Sequence, residues 1–556
     1  MKQKAVDAVQ SKNYGDFCYL INGPPGTGKT KTLCEIVAQI GKDPGFPGSI
    51  LLCAPSNPAA DTLALRLRSL FDPKSMLRLN HFSRTFAEVP QELLPYCYVE
   101  HDLFSLPPMP QLMAFRVVVT TCQDADILVQ ARVTNRDLIS LQNSLASAIN
   151  IKSHQGETPP HWTALIVDEA AQATEPENLI PLSIVSPPAD DLNQKPVFVM
   201  AGDQHQLNPR TYDRSTTLHT SFFERLSEMP VYASHPLARK SLQRTSHRLP
   251  MLRPPFVNLI RNYRSHPAIL AIPSSMFYAN TLIPEASQTD SLLPWTGWHG
   301  RRWPVLFVCN AGIDNCEDIR GVGRGWYNTR EAQKAITYAQ SLLGQRLIVE
   351  QSEICIMSPF QSQVNLLRKL ARQSKLWGVN IGPMEAFQGL ERRFVILCTT
   401  RARKRFVEED KVRGIGIIDE KKKFNVAITR AKEGLVVLGN PCTLAIDPHW
   451  LAFLKFCWRN SLWQCDNDKN TSSPNYEETD VNAWTPGNQS EEISGLEAAL
   501  VYKERDKRAG SKAARRFMGG GENTEDALWR SGLEAEEAVD DSTSPIGSET
   551  EDFLED

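Results

Sequence analysis

The stretch "GPPGTGKT", Gly23 to Thr30, constrains the fold more than any other part of the chain. It follows the apolar run "CYLI" and opens the helical pattern "KTLCEIVAQI", so a strand must lead through a glycine turn into a helix N-terminus. In such a loop Gly23, Pro24, Pro25, Gly26, Thr27 and Gly28 wrap backbone N–H groups around phosphate oxygens. Lys29 reaches the β- and γ-phosphates, and Thr30 offers a hydroxyl to Mg²⁺. ATP and Mg²⁺ are therefore the expected ligands.

The acidic partner expected of such a loop is "ALIVDEAAQ", a strand ending in two carboxylates. Asp168 is placed to hold Mg²⁺ and Glu169 to polarise the attacking water. A strand followed by an acidic helix cap has the same spelling, so the pair gains its meaning from the phosphate loop. Many classes of ATPase share both features.

Continuous apolar runs alternate with helical stretches: "SILLCAP", "RVVVTTC" and "VFVMAGD" early, then "WPVLFVCN", "ICIMSPF", "RFVILCTTR" and "LVVLGNP". That pattern predicts an α/β fold with parallel sheets covered on both faces, in two units, 1–235 and 256–445. Insertions are expected at 79–112 and 133–161, a closing helix over 446–465, and a disordered acidic tail over 466–556. The formal net charge of −3 hides an asymmetry, roughly +11 before residue 466 and roughly −14 after it. A basic folded part suits either an ordinary solvated surface or a polyanion footprint.

The twelve cysteines show no CxxC pair and no zinc spacing, which predicts reduced thiols. The N-terminal segment is too polar for a signal peptide, and no apolar run approaches a membrane span. A cytoplasmic protein is expected, with the nucleus as the alternative.

Four further stretches separate the classes of ATPase: "MAGDQHQLNP" at 200–209, "LIRNYRSHPAIL" at 259–270, "EAFQGLERRFVIL" at 385–397 and "FNVAITRAKEGLVVLGN" at 424–440. With them the chain resembles superfamily 1 helicases of the nonsense-mediated-decay group. The finer resemblance, through "SRTFAEVPQELLPYC", "DEAAQATEPENLIPL", "SFFERL" and "DPHWLAFLKFC", is to Armitage-like and plant silencing-defective RNA helicases.

The resemblance implies two tandem RecA-like domains with ATP between them. Gln3 would recognise adenine, Tyr263 would stack on it, and Gly389 and Glu391 would lie along the nucleotide, Glu391 at the ribose. Gln206 would sense the γ-phosphate, with Arg264 and Arg430 as arginine fingers. Pro55, Ser56, Asn57, Thr120 and Thr121 would contact single-stranded nucleic acid from the first domain, opposite Thr399 and Arg401. The implied function is 5′-to-3′ movement on single-stranded RNA in silencing or turnover, with silencing or decay proteins recruited through the tail, in cytoplasmic RNA granules.

Two alternatives stand: a related DNA helicase, and an RNA-binding ATPase clamp. Relatives carry an N-terminal region and a β-barrel before the position of Gln3, so the clamp reading gains from the short start of this chain.

Overall fold

The computed structural model describes residues 1–44, 46–148, 159–188, 195–211, 217–235, 238, 254–319, 323–387, 389–465 and 495–509. Its first sheet contains seven strands: β1 (Tyr19–Asn22), β2 (Ser49–Ala54), β3 (Met76–Arg78), β4 (Val117–Thr121), β5 (Trp162–Val167), β6 (Val197–Gly202) and β7 (Phe256–Asn258). Their spatial order is β3-β4-β2-β5-β6-β1-β7, and every pairing is parallel.

A sheet of this kind has both faces covered, so alternate residues of each strand enter different cores. Ile21, Leu52 and Ile166 face the core that includes α1 (Lys2–Ser11), α2 (Lys29–Lys42) and α3 (Asn57–Leu67). Leu20, Leu51 and Leu165 face the opposite core.

The second sheet contains β8 (Val305–Cys309), β9 (Ile354–Met357), β10 (Asn380–Gly382), β11 (Arg392–Cys398), β12 (Ala431–Gly439) and β13 (Trp463–Gln464). It is again parallel throughout, in the order β10-β9-β11-β12-β8-β13. Its helices include α4 (Pro267–Phe277), α5 (Thr329–Gly344), α6 (Lys421–Ile428) and α7 (Pro448–Arg459). The α/β class with two parallel sheets is the one the apolar runs predicted.

Two boundaries differ from expectation. Residues 256–258 form an edge strand of the first sheet, with Leu20 paired to Phe256, so the first unit runs past the expected break. The closing segment is more than a helix, because β13 adds to β8 through Phe307 and Trp463. That pairing also brings together Cys309 and Cys465, which form a disulfide in place of two of the expected reduced thiols. The sequence separation of 156 residues hides this proximity.

The expected acidic tail lies mostly outside the described residues, but Gly495–Ala509 forms α8, packed on α4. Leu496 and Val501 are buried in the same cluster as Ala268 to Ile272. Glu497 accepts from Arg459 Nη2 at 2.8 Å and Asn460 Nδ2 at 2.7 Å, and Arg301 Nη1 donates to Glu504 at 2.6 Å. Two apolar side chains and two bound carboxylates on one short helix specify its site where overall composition cannot.

Leu496→Ala removes buried side-chain volume from this contact, so it is expected to lower the unfolding free energy by about 2–5 kcal/mol. Urea denaturation of the full chain measures this; no change would mean that α8 contributes nothing to the folded core.

Candidate functional site

The phosphate loop leaves β1 at the C-terminal edge of the first sheet, where Gly23 N–H donates to Gly202 O at 3.0 Å. Lys29 is buried, its ammonium donating to Gly23 O at 2.9 Å and lying 3.7 Å from Glu169. Thr27 Oγ1 donates to Pro24 O at 2.8 Å and tightens the turn between Pro24 and Gly28.

Gly26 and Gly28 have φ of 76° and 88°, the left-handed region where a side chain is strained. A Cβ at Gly26 would meet Arg264 Cβ at 2.5 Å. That closeness reflects a grip from the second half of the chain. Asn262 Nδ2 donates to Pro25 O at 2.6 Å, and Tyr263 N–H donates to Gly26 O at 2.9 Å.

Asp168 and Glu169 follow β5. Asp168 is nearly inaccessible, and burial, then the neighbouring Glu169 charge, push its carboxyl up to about 6, against the Thr30 hydroxyl and Lys29, which pull it down. Glu169 has φ 49°, uncommon for a non-glycine residue and of the kind found where function fixes a side chain. Its carboxylate accepts from Gln172 Nε2 at 3.1 Å. Two carboxylates crowded beside a lysine and a threonine hydroxyl are short of positive charge, which a divalent cation would supply.

Gln206 lies in the turn after β6, its Nε2 donating to Asp203 at 3.0 Å. Arg430, at the end of α6, donates to Gln206 Oε1 at 3.0 Å and Leu390 O at 3.2 Å, while its Nε is buried without an acceptor. Burial first, then the neighbouring Arg264 charge, push this guanidinium down to about 10, with Glu169 and Glu391 opposing. A buried cation with an unmatched N–H suits an anion in the cleft.

Arg264 forms an ion pair with Glu391, whose other oxygen lies 2.8 Å from Lys432. Burial raises the Glu391 carboxyl, but Arg264 and Lys432 outweigh it and hold it below the usual range. Glu391 is thus committed to two cations here instead of standing free as a ribose acceptor. Gly389, at φ 74°, has open space around it.

The residues expected at adenine are arranged otherwise than expected. Gln3 is exposed and donates to Asp7 at 2.9 Å within α1. The α1 residue over the half-exposed Tyr263 ring is Lys2, its ammonium 3.9 Å from the centroid. A cation takes the face of that ring, where cation–π attraction holds it.

The nucleic-acid candidates divide. Pro55, Ser56 and Asn57 follow β2, and Thr120 and Thr121 end β4, so all five lie at the carboxyl edge of the first sheet. Ser56 is exposed, and the buried Thr120 hydroxyl has no partner. Asn57 accepts from Arg78 at 2.8 Å, and the Thr121 hydroxyl accepts from Asp124 N–H at 2.9 Å.

Thr399 and Arg401 are corrections. Thr399 is buried and donates to Leu438 O at 3.0 Å. Arg401 is 2% exposed, pairs with Asp314 at 2.8 Å and with Asp410 at 2.5 Å, and sits 3.9 Å from the Trp326 centroid. It holds the second unit together instead of facing a strand. Beside it, Glu331 accepts from Thr400 N–H with both oxygens, at 2.9 and 3.0 Å, and burial pushes it up to about 8.

Sequence reasoning passed over Asn262, Asp203 and Lys432 as individuals, although each lies in a quoted stretch. Their roles depend on contacts that spacing does not encode. Arg401→Ala leaves the buried Asp410 without its guanidinium partner, while Asp314 keeps Arg403 at 2.9 Å, so a loss of about 3 kcal/mol is expected in urea denaturation. An unchanged midpoint would return Arg401 to the candidate nucleic-acid surface.

Two family models, each described as an AAA domain, match this chain, one over residues 2–97 and 135–213 and the other over 237–442. The RNA helicase Mov10l1 of Homo sapiens is 34% identical over 83% of this chain and 35% of its own length. The probable RNA helicase armi of Drosophila melanogaster is 29% identical over 84% of this chain and 39% of its own length. The regulator of nonsense transcripts 1 homolog of Arabidopsis thaliana is 29% identical over 78% and 32%. The chain thus spans well under half the length of these relatives. Among solved structures, the DEAD-box helicase Mss116 bound to ssRNA and UDP-BeF aligns over 96% of this chain and 86% of its own, with a TM-score of 0.39 and 11% identity.

Proposed function

For a chain that belongs to the superfamily 1 helicases of the nonsense-mediated-decay group, we propose ATP hydrolysis in the cleft between the two sheets, coupled to binding and movement on single-stranded RNA. The observation that carries this reading is the contact of Arg430 with Gln206. It sets a buried guanidinium from the second unit against the first unit's phosphate site.

In this reading Lys29 and the N–H groups of the glycine turn hold the β- and γ-phosphates. Thr30 and Asp168 are the residues that would hold Mg²⁺, which supplies charge balance for the phosphate oxygens. Glu169 accepts the proton of the attacking water, and Gln206 orients that water. Arg430 stabilises negative charge on the transferred group, joined by Arg264 once Glu391 releases it. Tyr263 stacks on the base after Lys2 moves off its face, and Gln3 lies one residue away on the same helix turn.

Pro55, Ser56, Asn57, Thr120 and Thr121 form the strand-binding edge of the first unit, where small polar groups suit backbone contacts without base reading. Movement follows if the cleft closes on ATP and reopens after hydrolysis, because the strand contacts then differ between the two states. RNA as the polymer is proposed because two of the relatives are RNA helicases, and a role in RNA turnover because a third is a regulator of nonsense transcripts; a role in silencing and a cytoplasmic setting are proposed from the resemblance to Armitage-like helicases alone. No helix among the described residues is long and apolar enough to cross a membrane.

Steady-state ATP hydrolysis with no polymer, single-stranded RNA or matched DNA tests the reading. RNA is expected to stimulate turnover more than DNA, and Glu169→Gln to lower it by about 10²–10⁴-fold while retaining ATP binding. Stimulation by DNA alone would favour a DNA enzyme, and the absence of any stimulation would contradict a coupled motor.

A further inference from the structure

Tyr278 follows α4, and its side chain is 1% exposed. Its ring meets the His205 ring edge-on, with centroids 5.5 Å apart. The hydroxyl donates to Asp203 Oδ2 at 2.8 Å and accepts from Asn425 Nδ2 at 2.7 Å. Asp203 Oδ2 also accepts from Gln206 Nε2, and Gln206 Oε1 accepts from Arg430. Asn425 Nδ2 donates in addition to His205 O at 2.9 Å.

These contacts form a closed circuit. Asp203, His205 and Gln206 belong to the turn after β6 in the first unit, and Asn425 and Arg430 belong to α6 and its end in the second. Tyr278, Asp203, Gln206, Asn425 and Arg430 are each no more than 5% exposed, so water does not compete for these bonds.

Proton bookkeeping makes the hydroxyl hard to replace. It has one hydrogen, which the acceptor-only Asp203 carboxylate takes, and it offers a lone pair, which the Asn425 amide fills. A phenyl ring keeps the packing but provides neither function. Removing the hydroxyl would leave a buried carboxylate short of one donor and a buried amide short of one acceptor.

We infer that the Tyr278 hydroxyl is a positioning group that locks the Asp203–Gln206 turn of the first unit to α6 of the second, so that Gln206 and Arg430 reach their working geometry in step when ATP closes the cleft on bound RNA. The inference rests on the proposed RNA-coupled hydrolysis. Tyr278 contacts neither nucleotide nor strand in this scheme and acts through Asp203 and Asn425. In this scheme polymer-free hydrolysis proceeds without that concerted closure and is not limited by it.

The test compares the full chain with Tyr278→Phe, measuring kcat and KM for ATP with and without saturating single-stranded RNA. The RNA-stimulated kcat is expected to fall about five- to tenfold, the size of effect expected when the two buried hydrogen bonds of a positioning group are lost, with KM for ATP and polymer-free turnover within about twofold. Asn425→Ala should lower the stimulated kcat by a similar factor, and the double variant should be no worse than Asn425→Ala alone, because both break one circuit. An equal fall with and without RNA would reduce Tyr278 to a packing residue and overturn the inference. So would Tyr278→Phe with normal stimulation, or additive effects in the double variant. If the unaltered chain shows no stimulation by RNA, the proposed function fails and this inference with it; normal stimulation in the unaltered chain isolates failure to Tyr278.

Discussion

Arg430 is a guanidinium out of solvent at the meeting of two sheets, and the arrangement of the cleft follows from satisfying it. Gln206 and the Leu390 carbonyl take two of its directions, while Nε is left without an acceptor. Burying a cation this way is unfavourable unless anions stand near, and Glu169 and Glu391 supply part of that need. The unmatched remainder explains why the phosphate loop, the acidic strand end and α6 converge on one place. In the proposed function a triphosphate would supply the negative charge that the protein withholds.

The parallel sheets make this convergence cheap to build. Each strand of a parallel sheet delivers its following turn to the same edge, so Gly23, Ser56, Asp168 and Asp203 arrive together although widely separated along the chain. The same geometry brings Ser56 and the end of β4 at Thr120 to the edge proposed for strand binding, and Lys29 and Asp168 to the part proposed for phosphate. Both activities of the proposed motor therefore share one rigid sheet, and a shift of the second unit reaches both.

Much of this was legible in the residues. "GPPGTGKT" after "CYLI" specified strand, turn and helix because only glycine tolerates those φ values and only a strand feeds such a turn. The apolar runs specified the parallel sheets because both faces of each strand are buried. What stayed hidden depends on contacts between distant segments. Arg401 is written like a strand-binding arginine, yet Asp314 and Asp410 hold it from 87 and 9 residues away. Cys309 and Cys465 meet only because β13 joins β8, and α8 is masked by the composition around it. Lys2, not Gln3, covers Tyr263, because the helix turn that carries both puts the lysine over the ring.

The central claim is that the second unit reads the γ-phosphate through Arg430. Calorimetric affinities for ADP and for a nonhydrolysable ATP analogue, in the unaltered chain and in Arg430→Gln, test it most directly. The account predicts that the unaltered chain prefers the triphosphate, and that the variant loses this preference while keeping its affinity for ADP. A variant that retains the full preference for the triphosphate would contradict it.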